Sequence, residues 1–227
     1  MKTTESESAK WSKIRPALLA SYDFSESWSK AVSLYRKRIE DKFLNPTQKL
    51  IDLKNFEGEG FTIVGTQCIL IESFAAFRAG KVYRHKPQIG QESFYYNNSG
   101  ELFVKFLKSS PMFDGIFFGE NKASLFSAED FYSEVRCGLL HEARTKGKWT
   151  INQPLTKSYA GPFIVKEDGK LKIFRTLLQS VLRGYLDLYC GELQVKNETD
   201  LRRFFARKMD DLFDVTKAST IDWWIDK

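Results

Sequence analysis

The pair of residues with the clearest chemical potential is an arginine followed five positions later by a histidine, Arg136 and His141. They lie late in the segment 127–143, whose apolar residues recur at helical spacing. An imidazole can transfer a proton near neutral pH, and a guanidinium can hold a phosphate and offset charge in a transition state. At about 100° per residue the two side chains are about 140° apart on a helix, so both flank its polar side. The pair therefore predicts cleavage of an RNA phosphodiester.

The Arg136-x4-His141 pattern resembles the R-x4–6-H motif of the HEPN superfamily of helical bundles. The resemblance implies a metal-independent endoribonuclease of a defence or toxin–antitoxin system, with Arg136 and His141 as catalytic residues and no cofactor. It also implies a homodimer, because two protomers pair to form one cleft in this family, and an antitoxin or defence-system protein as partner. The family residue after the arginine is commonly Asn, Asp or His, whereas this chain has Cys137.

Two other interpretations remain open at the level of sequence. One is a catalytically inactive HEPN-like module that binds RNA or a protein, and the other is a helical interaction protein in which the motif is accidental. A second match, Arg78-x6-His85, straddles Gly80 and a basic loop, so we base the prediction on the first. Arg136 and His141 lie outside the predicted core, so alanine at either is expected to change stability by no more than about 0.5 kcal/mol.

Glu72 and Cys137 are candidates for supporting this pair. Glu72 is a lone acid in the apolar segment 61–79, and a buried carboxylate needs a partner. It is expected either to orient Arg136 or His141, or to belong to a structural ion pair or an exposed helix end. Cys137 adjoins the arginine directly.

Cations in the last predicted helix are candidates for contacts with RNA phosphates, the alternative being an ordinary solvated face. They are Arg202, Arg203, Arg207 and Lys208. Two nearby tryptophans, Trp223 and Trp224, are expected to dock the C-terminal segment rather than to stack on bases. A net charge of +6 also favours anionic partners.

The sequence lacks the motifs of other catalytic and cofactor-binding classes. Gly58-x-Gly60 precedes a helix, but a dinucleotide-binding loop would need its third glycine at Ile63. The chain contains neither GxSxG nor HExxH. It has two histidines and three widely separated cysteines with no CxxC pair, so we expect no metal site.

The same cysteine usage indicates reduced thiols and a cytoplasmic protein. The first residues are polar and lack the apolar region of a signal peptide. The most hydrophobic stretch, 61–77, contains Gln67 and Glu72 and is short for a membrane span, so no membrane partner is expected.

The elements that must position these residues are mainly helical. The 42% of hydrophobic residues suffices for a core and excludes a wholly disordered chain. We predict a flexible tail over 1–20 and one mainly α, HEPN-like helical bundle over 21–227. A small β-hairpin insert is expected at about 146–170, because the short β-like runs 148–151 and 162–165 are followed by the turn pair Asp168-Gly169. Helices are predicted at about 28–43, from Pro46 to about 55, and at 61–79, 101–108, 127–143 and 197–213. A further helix is predicted to begin at 171.

Overall fold

Helices account for most of the structure, as the sequence predicts. The computed structural model describes residues 5–53, 58–86, 93–117, 126–154, 159–215 and 222–225. The residues group into two compact units rather than the single domain predicted over 21–227. The terminal unit comprises Met1–Glu40, Phe74–Asn97 and Leu186–Lys227, and the central unit comprises Asp41–Ser73 and Asn98–Tyr185.

The terminal unit begins with a helix where a flexible tail was predicted. Helix α1 (Glu7–Leu18) starts at Ser6, whose hydroxyl accepts a hydrogen bond from the Ala9 amide at 3.1 Å. Its Trp11 is completely buried. The prediction was wrong because few apolar residues mark this segment, and its docking depends on the buried Trp11 and Leu18 and on an ion pair from Arg15 to the distant Asp210.

The other elements of the terminal unit surround an aromatic core. They are α2 (Glu26–Ile39), the end of α4 (Glu59–Ala79), the short parallel pair β1 (Val82–Tyr83) and β2 (Tyr95–Tyr96), the end of α8 (Arg175–Glu192), α9 (Thr199–Leu212) and the 3-10 turn Asp222–Trp224. Phe205 of α9 lies at the centre of this core. Its ring centroid is 5.5 Å from Tyr35, 6.0 Å from Phe77 and 6.5 Å from Trp11 and Trp28.

A buried carboxylate ties both chain ends of the terminal unit to α9. Asp210 is fully buried and accepts from the indole N–H groups of Trp11, Trp223 and Trp224 at 2.8–3.0 Å. Arg15 adds two further N–H donors at 2.8 and 3.0 Å. A buried charge is tolerated only when it is paired and hydrogen-bonded, and five donors meet that requirement.

The central unit holds the remaining helices and the larger sheet. Residues Glu40–Leu44 form a π-helical turn before α3 (Asn45–Leu53), and α5 (Ser99–Ser109) precedes a 3-10 turn at Pro111–Phe113. The motif segment contains α6 (Ala128–Asp130), a π-helical turn and α7 (Cys137–Glu142).

Helix α4 is the core helix that the apolar segment predicts. It is long and apolar enough to cross a membrane, but 61% of its most apolar window is buried inside the protein. Within the central unit it is fixed to α8 by polar contacts. The Arg175 guanidinium donates to Glu59 at 2.7 Å, and the Gln67 amide donates to the Arg175 carbonyl at 2.8 Å.

The predicted β-hairpin is present, and the β-like run 148–151 also forms a strand, but the strand after the turn lies where the start of a helix was predicted. Strands β4 (Ile164–Glu167) and β5 (Lys170–Phe174) are antiparallel, and β3 (Trp149–Asn152) pairs with β5 in parallel. The turn residues Asp168 and Gly169 have φ values of 52° and 73°, as a type I′ turn requires. Because 171–174 belong to β5, the helix predicted from 171 begins only at Arg175.

Candidate active site

The segment that carries the arginine and histidine is a helix with a π-helical turn at its centre. The hydroxyl of Ser127 caps this segment by accepting a hydrogen bond from the Asp130 amide at 3.0 Å. Residues Phe131–Arg136 are π-helical, and α7 then continues to Glu142. Ala143 takes a left-handed φ of 53°, which ends the helix directly after the histidine. π-Helical turns occur frequently at functional sites.

A glycine in this segment allows the chain to fold back over the helix. The Arg144 amide donates to the Gly138 carbonyl at 3.3 Å, and the Lys146 amide donates to the Glu134 carbonyl at 2.9 Å. A Cβ atom on Gly138 would lie 2.6 Å from the Arg144 carbonyl oxygen. The close approach of the returning chain therefore requires glycine at this position.

Arg136 is held by an ion pair with Glu72 of α4. The guanidinium Nη2 donates to Glu72 Oε2 at 2.7 Å, and the two side chains are 17% and 18% exposed. The guanidinium carbon also lies 5.4 Å from the centre of the Tyr132 ring. The structure thus brings Glu72 to Arg136, one of the arrangements expected for this lone acid.

This cluster keeps the arginine charged and favours the neutral forms of Tyr132 and Cys68. Burial acts to lower the Arg136 pKa, but the hydrogen bond and charge of Glu72 outweigh it and the pKa lies above its usual range. Burial raises the pKa of Tyr132 to about 12 and that of the Cys68 thiol to about 12. Cys137, half-buried, interacts with both Arg136 and Tyr132.

Tyr132 is a member of this cluster that the sequence analysis missed. It precedes Arg136 by four positions, a spacing that places two side chains on one helix face. An aromatic ring at that spacing from an arginine is a signal for a cation–π contact. With its pKa raised, the phenol remains a protonated hydrogen-bond donor at neutral pH.

His141 has different surroundings from Arg136. Its side chain is exposed at the C-terminal end of α7. No hydrogen bond or ion pair joins it to Arg136, to Glu72 or to any other residue in the described ranges. The imidazole is therefore open to solvent.

A cleft of about 280 Å³ lies beside Arg136 in the central unit, between α4 and the motif helix. Its rim carries three large exposed hydrophobic residues: Phe61, Ile69 and Leu140 are 45%, 52% and 57% exposed. Among the described residues, Arg136 is the one cation that lines the cleft, and His141 is not among its lining residues. The cleft is thus largely apolar rather than basic.

The structure contradicts the predicted RNA-binding role for two of the α9 cations, because their side chains are completely buried. Arg202 and Arg207 are 0% and 1% exposed. Arg202 donates to the carbonyls of residues 193, 195 and 196 at 2.8–3.0 Å, and Arg207 donates to those of 223 and 80 at 2.7 and 3.0 Å. Arg203 is 12% exposed along its side chain, and Lys208, at 13%, pairs with Asp211 at 2.7 Å.

These two arginines donate hydrogen bonds to backbone carbonyls and are not accessible to RNA. A guanidinium carries five N–H donors in a fixed fork, which suits it to carbonyls left open where helices end. The expectation of a phosphate-binding basic face on α9 is therefore wrong for Arg202 and Arg207. From the sequence alone, an arginine on a helix that is exposed to solvent looks the same as one that donates to buried carbonyls.

The remaining candidates have structural surroundings. Trp223 and Trp224 are buried and dock the C-terminal segment on Asp210, as predicted. Arg78 of the second motif match pairs with Glu192, and His85 is exposed. Within the part of the chain that the structure describes, no group of three or more His, Cys, Asp or Glu side chains is arranged to hold a metal ion.

Comparisons with protein-family models, curated proteins and solved structures give no match to this chain. The resemblance to the HEPN superfamily therefore rests on the Arg136-x4-His141 motif alone, beside a mainly helical fold. Helical content is shared by many unrelated proteins, so any function must be argued from the site itself.

Proposed function

We propose that the chain is a metal-independent, HEPN-like endoribonuclease of a defence or toxin-type system, with Arg136 and His141 as its catalytic pair. The observation that carries the proposal is a guanidinium fixed by Glu72 at a cleft, in the same helical segment as an imidazole open to solvent. A preorganised cation and a titratable base are the two groups that cleavage through the RNA 2′-hydroxyl needs.

The reaction divides between these groups. The 2′-hydroxyl oxygen attacks the adjacent phosphorus, its proton passes to an imidazole, and the P–O5′ bond breaks. The products are a 2′,3′-cyclic phosphate and a 5′-hydroxyl that has taken up a proton. Arg136 offsets the negative charge that builds on the phosphate oxygens in the transition state.

The two proton transfers favour a homodimer. Removing the 2′-hydroxyl proton and protonating the 5′-oxygen are separate tasks, and each chain places one histidine on the motif helix. Two-fold pairing of motif helices would supply two imidazoles, and symmetric pairs are the commonest oligomers. The apolar rim formed by Phe61, Ile69 and Leu140 is the surface we assign to this contact.

A second candidate is a catalytically inactive module that binds RNA or a partner such as an antitoxin. The ion pair favours it, because Glu72 neutralises the charge that Arg136 would offer to a phosphate. The apolar lining of the cleft points in the same direction. The two candidates differ in one measurable property, the cleavage of RNA.

The deciding experiment incubates the purified protein with single-stranded RNA in the presence of EDTA. The endoribonuclease proposal expects fragments ending in 2′,3′-cyclic phosphate, and their loss with Arg136→Ala and with His141→Ala. Matched controls are Arg144→Ala, an exposed arginine at the end of the same segment, and His85→Ala, an exposed histidine of the terminal unit. Intact RNA with the wild type supports the inactive module, and activity lost to EDTA and restored by Mg²⁺ contradicts the metal-independent mechanism.

A further inference from the structure

The three-stranded sheet of the central unit carries a second cleft on its outer face. Side chains alternate along each strand, so Trp149 and Ile173 are buried while Asn152, Lys172 and Phe174 lie on the opposite side. The cleft on that side has a volume of about 360 Å³. Small-molecule sites have volumes of roughly 300–1,000 Å³.

Two aromatic rings form one wall of this cleft. The centroids of Tyr159 and Phe174 are 5.2 Å apart in an edge-to-face arrangement, and both residues line the cleft. Phe174 is 8% exposed and Tyr159 is half-buried, its hydroxyl donating to the Pro162 carbonyl at 3.3 Å. A flat aromatic surface held in this way can stack on a planar ligand.

Polar groups on β3 are left without partners beside these rings. The buried Oδ1 atom of Asn152, a lining residue, has no hydrogen-bond partner within the described ranges. The hydroxyl of Thr150, two positions earlier on the same face, is buried and unpartnered in the same sense. Buried polar atoms are normally satisfied, so this site calls for a ligand with hydrogen-bonding edges.

Lys172 completes the polar part of the cleft. It lies on the same face as Phe174 and pairs with Glu167 at 2.7 Å, whereas Lys166, which also lines the cleft, alternates to the other face of β4. An ammonium group beside an aromatic wall and an amide matches a phosphate attached to a base, rather than an isolated anion.

We infer that this cleft binds an unpaired nucleobase of single-stranded RNA. The base stacks on Tyr159, its donor edge meets Asn152 Oδ1, and the flanking phosphate lies at Lys172. The inference deepens the proposed function, on which it rests, by giving the enzyme a base-binding position outside the catalytic cleft. The sheet is joined to the motif segment by the Phe131 and Trp149 rings, whose centroids are 5.5 Å apart, and by a 2.7 Å hydrogen bond from Thr145 to the Trp149 carbonyl.

The test is fluorescence anisotropy with a labelled single-stranded 2′-O-methyl RNA oligonucleotide, which lacks the nucleophile and stays intact during the titration. Tyr159→Leu is expected to weaken binding at least about fivefold, the scale of a lost stacked base, and Asn152→Ala about twofold or more, the scale of a lost hydrogen bond. Tyr159→Phe keeps the ring and retains affinity. Lys172→Gln weakens binding about twofold or more, while Lys105→Gln, an exposed lysine of α5 outside the cleft, leaves it unchanged. Thermal melting verifies that each variant is folded.

The outcomes separate this inference from the proposed function. Unchanged affinity in folded Tyr159→Leu and Asn152→Ala overturns the base-binding cleft, even where the wild type cleaves RNA. Binding that weakens as expected in a protein that leaves RNA intact supports the cleft and contradicts the endoribonuclease. A wild type that does not bind the oligonucleotide overturns the cleft, and the cleavage assay then decides the function independently.

Discussion

At the scale of single residues, the pairing of Arg136 with Glu72 changes what an alanine substitution should do. The sequence pattern predicts near-neutral stability effects at both motif positions. The structure supports this for the exposed His141, whereas Arg136→Ala leaves the Glu72 carboxylate part-buried and unpaired. Activity lost in an Arg136 variant must therefore be compared with its stability.

We predict that Arg136→Ala and Glu72→Ala each lower the free energy of unfolding by about 1–3 kcal/mol, less than for a fully buried pair because both side chains keep some exposure. The double variant should lose less than the sum, and His141→Ala should lose about 0.5 kcal/mol or less. Urea denaturation of the four proteins measures these values. Strict additivity would show that the two side chains do not interact in solution.

The buried thiol of Cys68 predicts a dependence of stability on alkaline pH. Burial raises its pKa to about 12 from an unperturbed 9.0, so its protonated form is favoured by folding. That contribution is fully present below about pH 9 and is lost as pH rises toward 12. The melting temperature of the wild type should fall between pH 8 and 10.5 more steeply than that of Cys68→Ala. Parallel curves for the two proteins would contradict this linkage.

At the scale of elements, the motif helix depends on Gly138. We predict that Gly138→Ala lowers stability by about 1–3 kcal/mol, because its methyl group would lie 2.6 Å from the Arg144 carbonyl oxygen. The matched substitution is Gly191→Ala in α8, where nothing lies within 4 Å of the new Cβ. That change should be neutral or stabilising by up to about 1 kcal/mol. Equal melting temperatures for the two variants would argue against the close approach at Gly138.

Helix α1 provides the second prediction at this scale. Trp11→Ala should lower the free energy of unfolding by about 3–5 kcal/mol, because it removes a completely buried ring and one donor to Asp210. The control is Leu19→Ala at a 44% exposed position just after the helix, which should have little effect. Denaturation in urea checks both, and a flexible N-terminal tail would leave the Trp11 variant as stable as the wild type.

At the scale of the whole molecule, the proposed dimer can be tested on its apolar rim. We predict that Leu140→Glu shifts the protein from dimer to monomer in sedimentation and reduces RNA cleavage. Leu53→Glu, at a 60% exposed position of α3, should change neither property. Excess His141→Ala protomers should also inhibit the wild type by forming mixed dimers. A monomer that cleaves RNA at the full rate would rule out the shared site.

Local pattern in the sequence was sufficient for most elements. Helices α4, α5 and α9 lie where apolar spacing predicts them, and the Asp168-Gly169 pair marks the observed hairpin. These features depend on residues near in sequence, through side-chain periodicity, helix capping and turn geometry. The Arg136 and His141 motif is likewise a local feature, and its spacing is readable without a fold.

The partners of each polar side chain were decided by tertiary packing. Glu72 pairs with a residue 64 positions away, and Asp210 meets Trp11 across 199 positions. The same distant packing buries Arg202 and Arg207, which by sequence alone resemble a solvated basic face, and orders the N-terminal helix. A buried charge or ring is stable only where the fold supplies its partner, and contacts that join remote parts of the chain leave no periodic trace in the sequence.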